Sequence, residues 1–389
     1  MTTIHHGDAL SVLRTLPAES VQCVVTSPPY YGLRDYGVAG QLGLESRPDC
    51  LGWATGAPCG ECYLCRMLAV MCEVRRVLRR DGTCWLNMGD SWNSGASGST
   101  LGSTLGGGQK NQRHSNRSGR TVFPSLKPKD LIGMPWRLAL ALQVDGWWLR
   151  SDVIWHKPNP MPSSVKDRPT VAHEYLFLLT KSGRYHYDHE AVKEPAAAQN
   201  EHDATGPGYR APGQSPHTGT RSRKQSRAAL SFARDVAEPD RPGQRAPQHR
   251  PQRQSVPRGW DTGLGAHSAF NREGRGAPKT RETPDASTRS LRSVWTIPTF
   301  PFPEAHFATF PPALARTCIL AGCPVGGMVL DPFCGSGTTG LVARQLGREF
   351  IGIELNPKYI RMAVRRIERE TGLLGPVRVV AEKQEATVS

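Results

Sequence analysis

A chain of 389 residues can hold one large α/β domain and a further element, and its net charge of +15 points to a polyanionic partner. No apolar run is long enough to cross a bilayer, and Met1-Thr2-Thr3-Ile4-His5-His6 lacks the shape of a signal peptide; a soluble, cytoplasmic protein is expected, with no membrane partner. A hydrophobic content of 38% with 40 glycines and 32 prolines leaves part of the chain as loop, and ten cysteines in a cytosolic setting argue against disulfides.

Taken in order, residues 1–20 read as a strand, the turn Gly7-Asp8 and a small helix, for which Asp8 is a ready N-cap. Val21 to Val25 is a β-branched apolar run, a buried strand, and Ser27-Pro28-Pro29-Tyr30 stands where it ends. Ligands of open α/β sheets bind at such strand ends. Two prolines donate no N–H, which frees nearby carbonyls, and Ser27 and Tyr30 add a hydroxyl and an aromatic face. A planar base with an exocyclic amine would find an acceptor and a stacking surface there; the plain alternative is a Pro-Pro turn with a tyrosine packed on it. The loop Tyr31 to Gly37, with Tyr36 and the pair Arg34-Asp35, either covers such a guest or packs beside it.

Cys50, Cys59, Cys62 and Cys65 cluster within a loop containing glycine and proline. Thiolates at these spacings can close a tetrahedral, structural zinc site, or remain small core hydrophobes, with Cys65 belonging to the next helix. That helix is expected from Met67 to Arg80, stopped by Asp81-Gly82, followed by a strand from Thr83 to Asp90. Residues 93–121 are rich in Gly, Ser and Asn and carry Lys110, Arg113, Arg117 and Arg120, the composition of a mobile loop. A helix over 128–145, ended by Gly146, leads to strands at 147–156 and 173–180. Lys157, at a strand end, is a candidate phosphate or base contact, while Trp155 reads as core.

From about 195 to 292 apolar residues thin out and Arg and Lys outnumber Asp and Glu, with Arg221-Ser222-Arg223-Lys224 the densest cluster. This segment reads as a partly disordered insertion that orders on nucleic acid, or as a plain linker. Structure resumes near Ser293, and a helix follows Pro311-Pro312 and runs to about Ala321. Met328 to Asp331 is a strand, Pro332-Phe333-Cys334-Gly335-Ser336-Gly337 a glycine-rich turn, and Thr338 to Leu346 a helix. Phe350 to Glu354 is a further buried strand ending in a carboxylate placed for ribose hydroxyls, the spacing of a nucleoside-binding βαβ unit without the GxGxxG pattern. Pro357 to Thr371 reads as an amphipathic helix, with a frayed tail over 373–389.

Thr26-Ser27-Pro28-Pro29-Tyr30 followed downstream by Asp331-Pro332-Phe333-Cys334-Gly335-Ser336-Gly337-Thr338-Thr339 and Glu354 resembles the S-adenosylmethionine-dependent amino-methyltransferases of DNA. The catalytic stretch precedes the cofactor stretch, the permuted order of the β class, and serine at its head resembles the cytosine-N4 members more than the adenine-N6 ones. The resemblance spans about 1–190 and 290–372. It implies a Rossmann-like α/β sheet with helices on both faces, a catalytic half at 1–194, a target-recognition insertion at 195–292 and a cofactor half at 293–372. It also implies double-stranded DNA as substrate, with a cognate restriction enzyme as a candidate partner.

Carried onto this sequence, the resemblance makes Ser27, Pro28, Pro29 and Tyr30 catalytic. Asp8, Phe307, Asp331, Phe333, Gly335, Ser336, Gly337, Thr338 and Glu354 become cofactor-binding. A target amine buried in the duplex stack has to be flipped out, which costs a few kcal/mol. Acceptors at Ser27 and the Pro28 carbonyl would hold its protons and aim its lone pair at the methyl group, with no covalent enzyme intermediate. Adenine-N6 methylation is the near alternative. A zinc-bearing DNA-binding protein with an inactive methyltransferase core is the alternative from another class.

Overall fold

The strands alternate between two apolar cores, and that alternation builds the molecule. In β2 (Val21–Thr26) Cys23 and Val25 face one core and Val24 the other; in β3 (Leu78–Met88) Trp85 joins the first, and Cys84 and Leu86 the second. A sheet apolar on both faces needs a helical layer on each. Helices α1 (Ala9–Thr15), α3 (Tyr63–Val77) and α4 (Met134–Val144) supply one layer, and α5 (Pro312–Gly322), α6 (Thr338–Gln345) and α7 (Pro357–Thr371) the other. A single turn, α2 (Gly52–Thr55), precedes α3. The expected α/β fold with helices on both faces is the one found.

This computed structural model describes residues 1–93, 126–196, 288–299, 310–372 and 376–381. Nearly all of the expected mobile loop, the basic insertion with its Arg221 cluster, Phe307 and most of the tail lie outside the described residues. The chain divides into two units, 1–195 with 288–389, and 196–287, and the sheet belongs to the first. No helix among the described residues is long and apolar enough to cross a membrane.

The remaining strands are β1 (Thr2–His6), β4 (Trp148–His156), β5 (His173–Thr180), β8 (Val294–Thr296), β9 (Met328–Asp331), β10 (Glu349–Glu354) and β11 (Arg378–Ala381). A short pair, β6 (Glu194–Pro195) and β7 (Thr288–Arg289), forms a separate ribbon. The main sheet runs β11-β1-β10-β9-β2-β3-β5-β4-β8, and β5 is the one strand antiparallel to its neighbours. Early β2 therefore pairs with late β9, Val24 opposite Leu330. This pairing brings Ser27 and the glycine turn together at the C-terminal ends of the central strands, beside the ends of β1 and β10, where His6 pairs with Glu354.

Three boundaries differ from expectation. Helix α3 starts at Tyr63, so Cys65 lies in its first turn, and it ends at Val77. Asp81-Gly82 sits inside β3 at an irregularity in the β2 pairing, and the position takes glycine: a Cβ at Gly82 would lie 2.6 Å from Leu78 and 2.9 Å from the Gln22 carbonyl oxygen. Helix α4 begins only at Met134, where Gly133 in a left-handed conformation (φ 72°) turns the chain into it and Pro135 suits the first turn.

Candidate active site

One cleft runs along the shared strand ends and is lined by both sequence motifs: Ser27 to Tyr30 on one wall, and Phe333 to Ser336, Thr338 and Glu354 on the other. Asp8, Asn87, Lys157 and Glu174 line it as well.

On the late wall, Glu354 ends β10 and accepts the Gly335 N–H at 2.8 Å through one oxygen and the Asn356 N–H at 2.8 Å through the other. Burial pushes its carboxyl up, and these backbone donors partly oppose the shift. Each oxygen keeps a lone pair for a further donor. Gly335 takes a positive φ of 53°, natural for glycine. Phe333 and Phe310 give the cleft apolar walls, and Tyr36 meets Tyr359 edge to face at 6.3 Å. Asp8 lines the cleft while its Oδ1 caps α1 by accepting the Ser11 N–H at 2.9 Å, so capping and a place at the site coincide. Ser336 and Thr338 are bound from behind by Arg366, whose Nη1 donates to their hydroxyls at 3.3 and 2.9 Å.

Two residues expected to bind cofactor sit elsewhere. Asp331 is buried behind the turn and does not line the cleft; its Oδ1 accepts from Thr26 at 2.8 Å and the Phe333 N–H at 3.1 Å, and its Oδ2 from Thr339 at 2.7 Å. A carboxylate at a strand end looks like a ligand, but here it braces β2, β9 and α6 against one another. Burial lifts its carboxyl to about 6, against those hydrogen bonds. Gly337 (φ 79°) also serves packing: a Cβ there would lie 2.8 Å from the Ala363 Cβ of α7.

On the early wall a network converges from four segments. Tyr30 donates to Glu174 Oε2 at 2.9 Å, and Asn87 Nδ2 lies 2.7 Å from the Tyr30 hydroxyl and 2.9 Å from the same carboxylate oxygen. Ser27 Oγ and the Tyr30 hydroxyl are 3.1 Å apart, and Lys157 Nζ forms an ion pair with Glu174 Oε1 while lying 4.4 Å from the centre of the Trp155 ring. Burial pushes the Glu174 carboxyl up, but Lys157 and the donors around it outweigh burial and hold it below the usual carboxylate range. Burial, reinforced by Glu174, pushes the Tyr30 phenol well up, so it stays protonated.

Proton counting then fixes the roles. Ionised Glu174 only accepts, so Tyr30 spends its single proton there, and the Ser27–Tyr30 contact uses the Ser27 proton. Ser27 Oγ is left with lone pairs at the cleft, and of the described donors Asn87 Nδ2 approaches at only 3.4 Å. The Tyr30 ring is pressed on Gly89, where a Cβ would come within 2.7 Å of it. The expected stacking face is thus tied down at both ring edge and hydroxyl.

Asn87 and Glu174 were not among the expected site residues, and Lys157 pairs with Glu174 instead of standing free for a phosphate. The signal for Glu174 was an acid next to the start of an otherwise apolar strand. For Asn87 it was a polar residue closing the run Trp85-Leu86. Register places them: Thr26 pairs with Leu86, and Trp155 with Glu174.

Comparison with known proteins agrees with this geometry. A family model described as DNA methylase, covering N6 and N4 methyltransferases, matches residues 21–365. Type II methyltransferase M.Cfr9I of Citrobacter freundii is 40% identical over 368 residues, 95% of this chain and 88% of that protein. M.SmaI of Serratia marcescens is 38% identical over 364 residues, covering 93% and 89%. Among solved structures, the PvuII DNA methyltransferase (cytosine-N4-specific) aligns with a TM-score of 0.50 at 17% identity, covering 94% of this chain and 87% of that one, a likeness of fold.

Proposed function

Because the chain belongs to the N6/N4 DNA methylase family, we propose that it transfers a methyl group from S-adenosylmethionine to the exocyclic N4 of cytosine in double-stranded DNA. The observation that carries this reading is the single cleft joining Ser27-Pro28-Pro29-Tyr30 to Gly335 and Glu354. The late wall fits an adenosyl group: carboxylate acceptors at Glu354 and Asp8 suit ribose or adenine donors, and Phe333 and Phe310 suit a flat base. When bound, S-adenosylmethionine supplies an electrophilic methyl group on a sulfonium.

The early wall prepares the amine. Ser27 Oγ accepts one amine proton and the carbonyl of Pro28, which also lines the cleft, takes the other, which turns the nitrogen lone pair out of conjugation with the ring. Glu174 keeps Ser27 in the accepting state through Tyr30, so a neutral hydroxyl does this work without a strong base. Positioning and electrostatics carry the transfer, and the methylated nitrogen, cationic and strongly acidic, releases its surplus proton to solvent. Serine in place of an acid at position 27 resembles the cytosine-N4 members, and the basic chain suits the DNA backbone.

Nucleosides from unmethylated DNA treated with protein and S-adenosylmethionine test the reading by mass spectrometry. N4-methylcytosine is expected; N6-methyladenine alone would replace the cytosine assignment, and no methylated base would end the reading.

A further inference from the structure

The cysteine cluster stands apart from the cleft's chemistry, yet it is bonded to the catalytic loop through one residue. The sulfurs of Cys50, Cys59, Cys62 and Cys65 all lie within 4.8 Å of one another. Cys50 and Cys65 sulfurs are 3.6 Å apart, and those of Cys59 and Cys65 4.0 Å. A disulfide would need about 2.05 Å. A tetrahedron with zinc–sulfur bonds of about 2.3 Å has edges of about 3.8 Å. The spacing is that of four ligands around an ion.

Details of the loop support the same assignment. Backbone N–H groups of Gly52 and Cys62 donate to the sulfurs of Cys50 and Cys59 at 3.3 and 3.4 Å, the outer contacts that steady thiolate ligands. Cys62 starts α3 without a side-chain capping bond, which leaves its sulfur to the cluster. Gly52 cannot be replaced without rebuilding the loop, since a Cβ would lie 2.1 Å from the Ala57 carbonyl oxygen. Buried Asp49 fastens the segment by accepting from Leu51 N–H at 2.6 Å, Trp53 Nε1 at 3.2 Å and Arg137 at 3.1 Å.

Between two of the cysteines at the head of α3 stands Tyr63, fully buried, whose hydroxyl donates to the Pro29 carbonyl at 2.8 Å. We infer that the four cysteines bind one zinc ion, and that this ion fixes the start of α3 and, through Tyr63, the seating of the Ser27–Tyr30 loop. Four thiolates leave no coordination position for a substrate, so the ion is structural. The coupling to turnover, unlike the ion itself, rests on the methyltransferase reading above.

The test uses the full chain. Elemental analysis after dialysis is expected to give about one zinc per chain, and cobalt substitution the absorption of a tetrahedral thiolate site. Cys65→Ser should lower metal content at least about tenfold, as should Cys59→Ser, whose exposed position spares the core. Tyr63→Phe should keep the zinc and the S-adenosylmethionine affinity while slowing methylation about tenfold. Metal-free protein with four freely reacting thiols, or iron in place of zinc, would overturn the site. Full turnover in both Cys59→Ser and Tyr63→Phe, with zinc present in the parent, would overturn the coupling alone.

Discussion

The two walls of the cleft are built in opposite ways. The late wall is largely local: Phe333, Gly335, Ser336 and Thr338 lie in one turn and Glu354 binds that turn's own N–H at 2.8 Å, with Asp8 and Phe310 joining from outside it. The early wall is assembled: Ser27 and Tyr30 reach Asn87, Lys157 and Glu174 on three other segments. The late wall works through carboxylate acceptors held by backbone donors and through shape, and the early wall through proton bookkeeping among side chains. Damage should therefore spread differently on each.

Breaking the assembled wall should cost most. Glu174→Gln removes the charge and replaces one accepting oxygen by an amide donor, so the Tyr30 and Ser27 protons lose their fixed direction and Lys157 its counter-charge; single-turnover methylation should fall roughly 10³-fold. Ser27→Ala takes only the final acceptor, and a loss of about 10²-fold is expected in the same assay. In the local wall, Glu354→Ala should weaken S-adenosylmethionine binding about 10–100-fold, the worth of charge-assisted hydrogen bonds at about 1.5–3 kcal/mol, with turnover at saturation largely kept. If Glu354→Ala instead lost turnover at saturation, the division between the walls would be wrong.

The smallest effect concerns the brace between them. Between the ordinary aspartate value near 3.9 and the value of about 6 that burial imposes on Asp331, the native state holds a proton that the unfolded chain has released. Stability should fall as pH rises through that window. Asp331→Asn, followed by denaturant titration across it, should flatten the slope; an unchanged slope would remove Asp331 as its source.

The same contrast explains how much could be read from the sequence. Contiguous signals were legible: β5 and α7 occupy the expected ranges, and Gly335 and Glu354 meet the early motif in one cleft. Asp331 looked like a ligand because sequence cannot show the Thr26 and Thr339 hydroxyls that two other elements bring to it. Asn87 and Glu174 were invisible as a pair, since only the antiparallel placement of β5 puts the beginning of that strand beside the end of β3. Tyr30 was legible as a site residue but not as a tethered one, because Gly89 and Glu174 come from distant positions.

Calorimetric titration of S-adenosylmethionine into Glu174→Gln tests the separation of the two walls most directly. An affinity within about twofold of the parent protein, in a variant that no longer methylates DNA, is the predicted result; a loss of affinity as large as the loss of rate would contradict it.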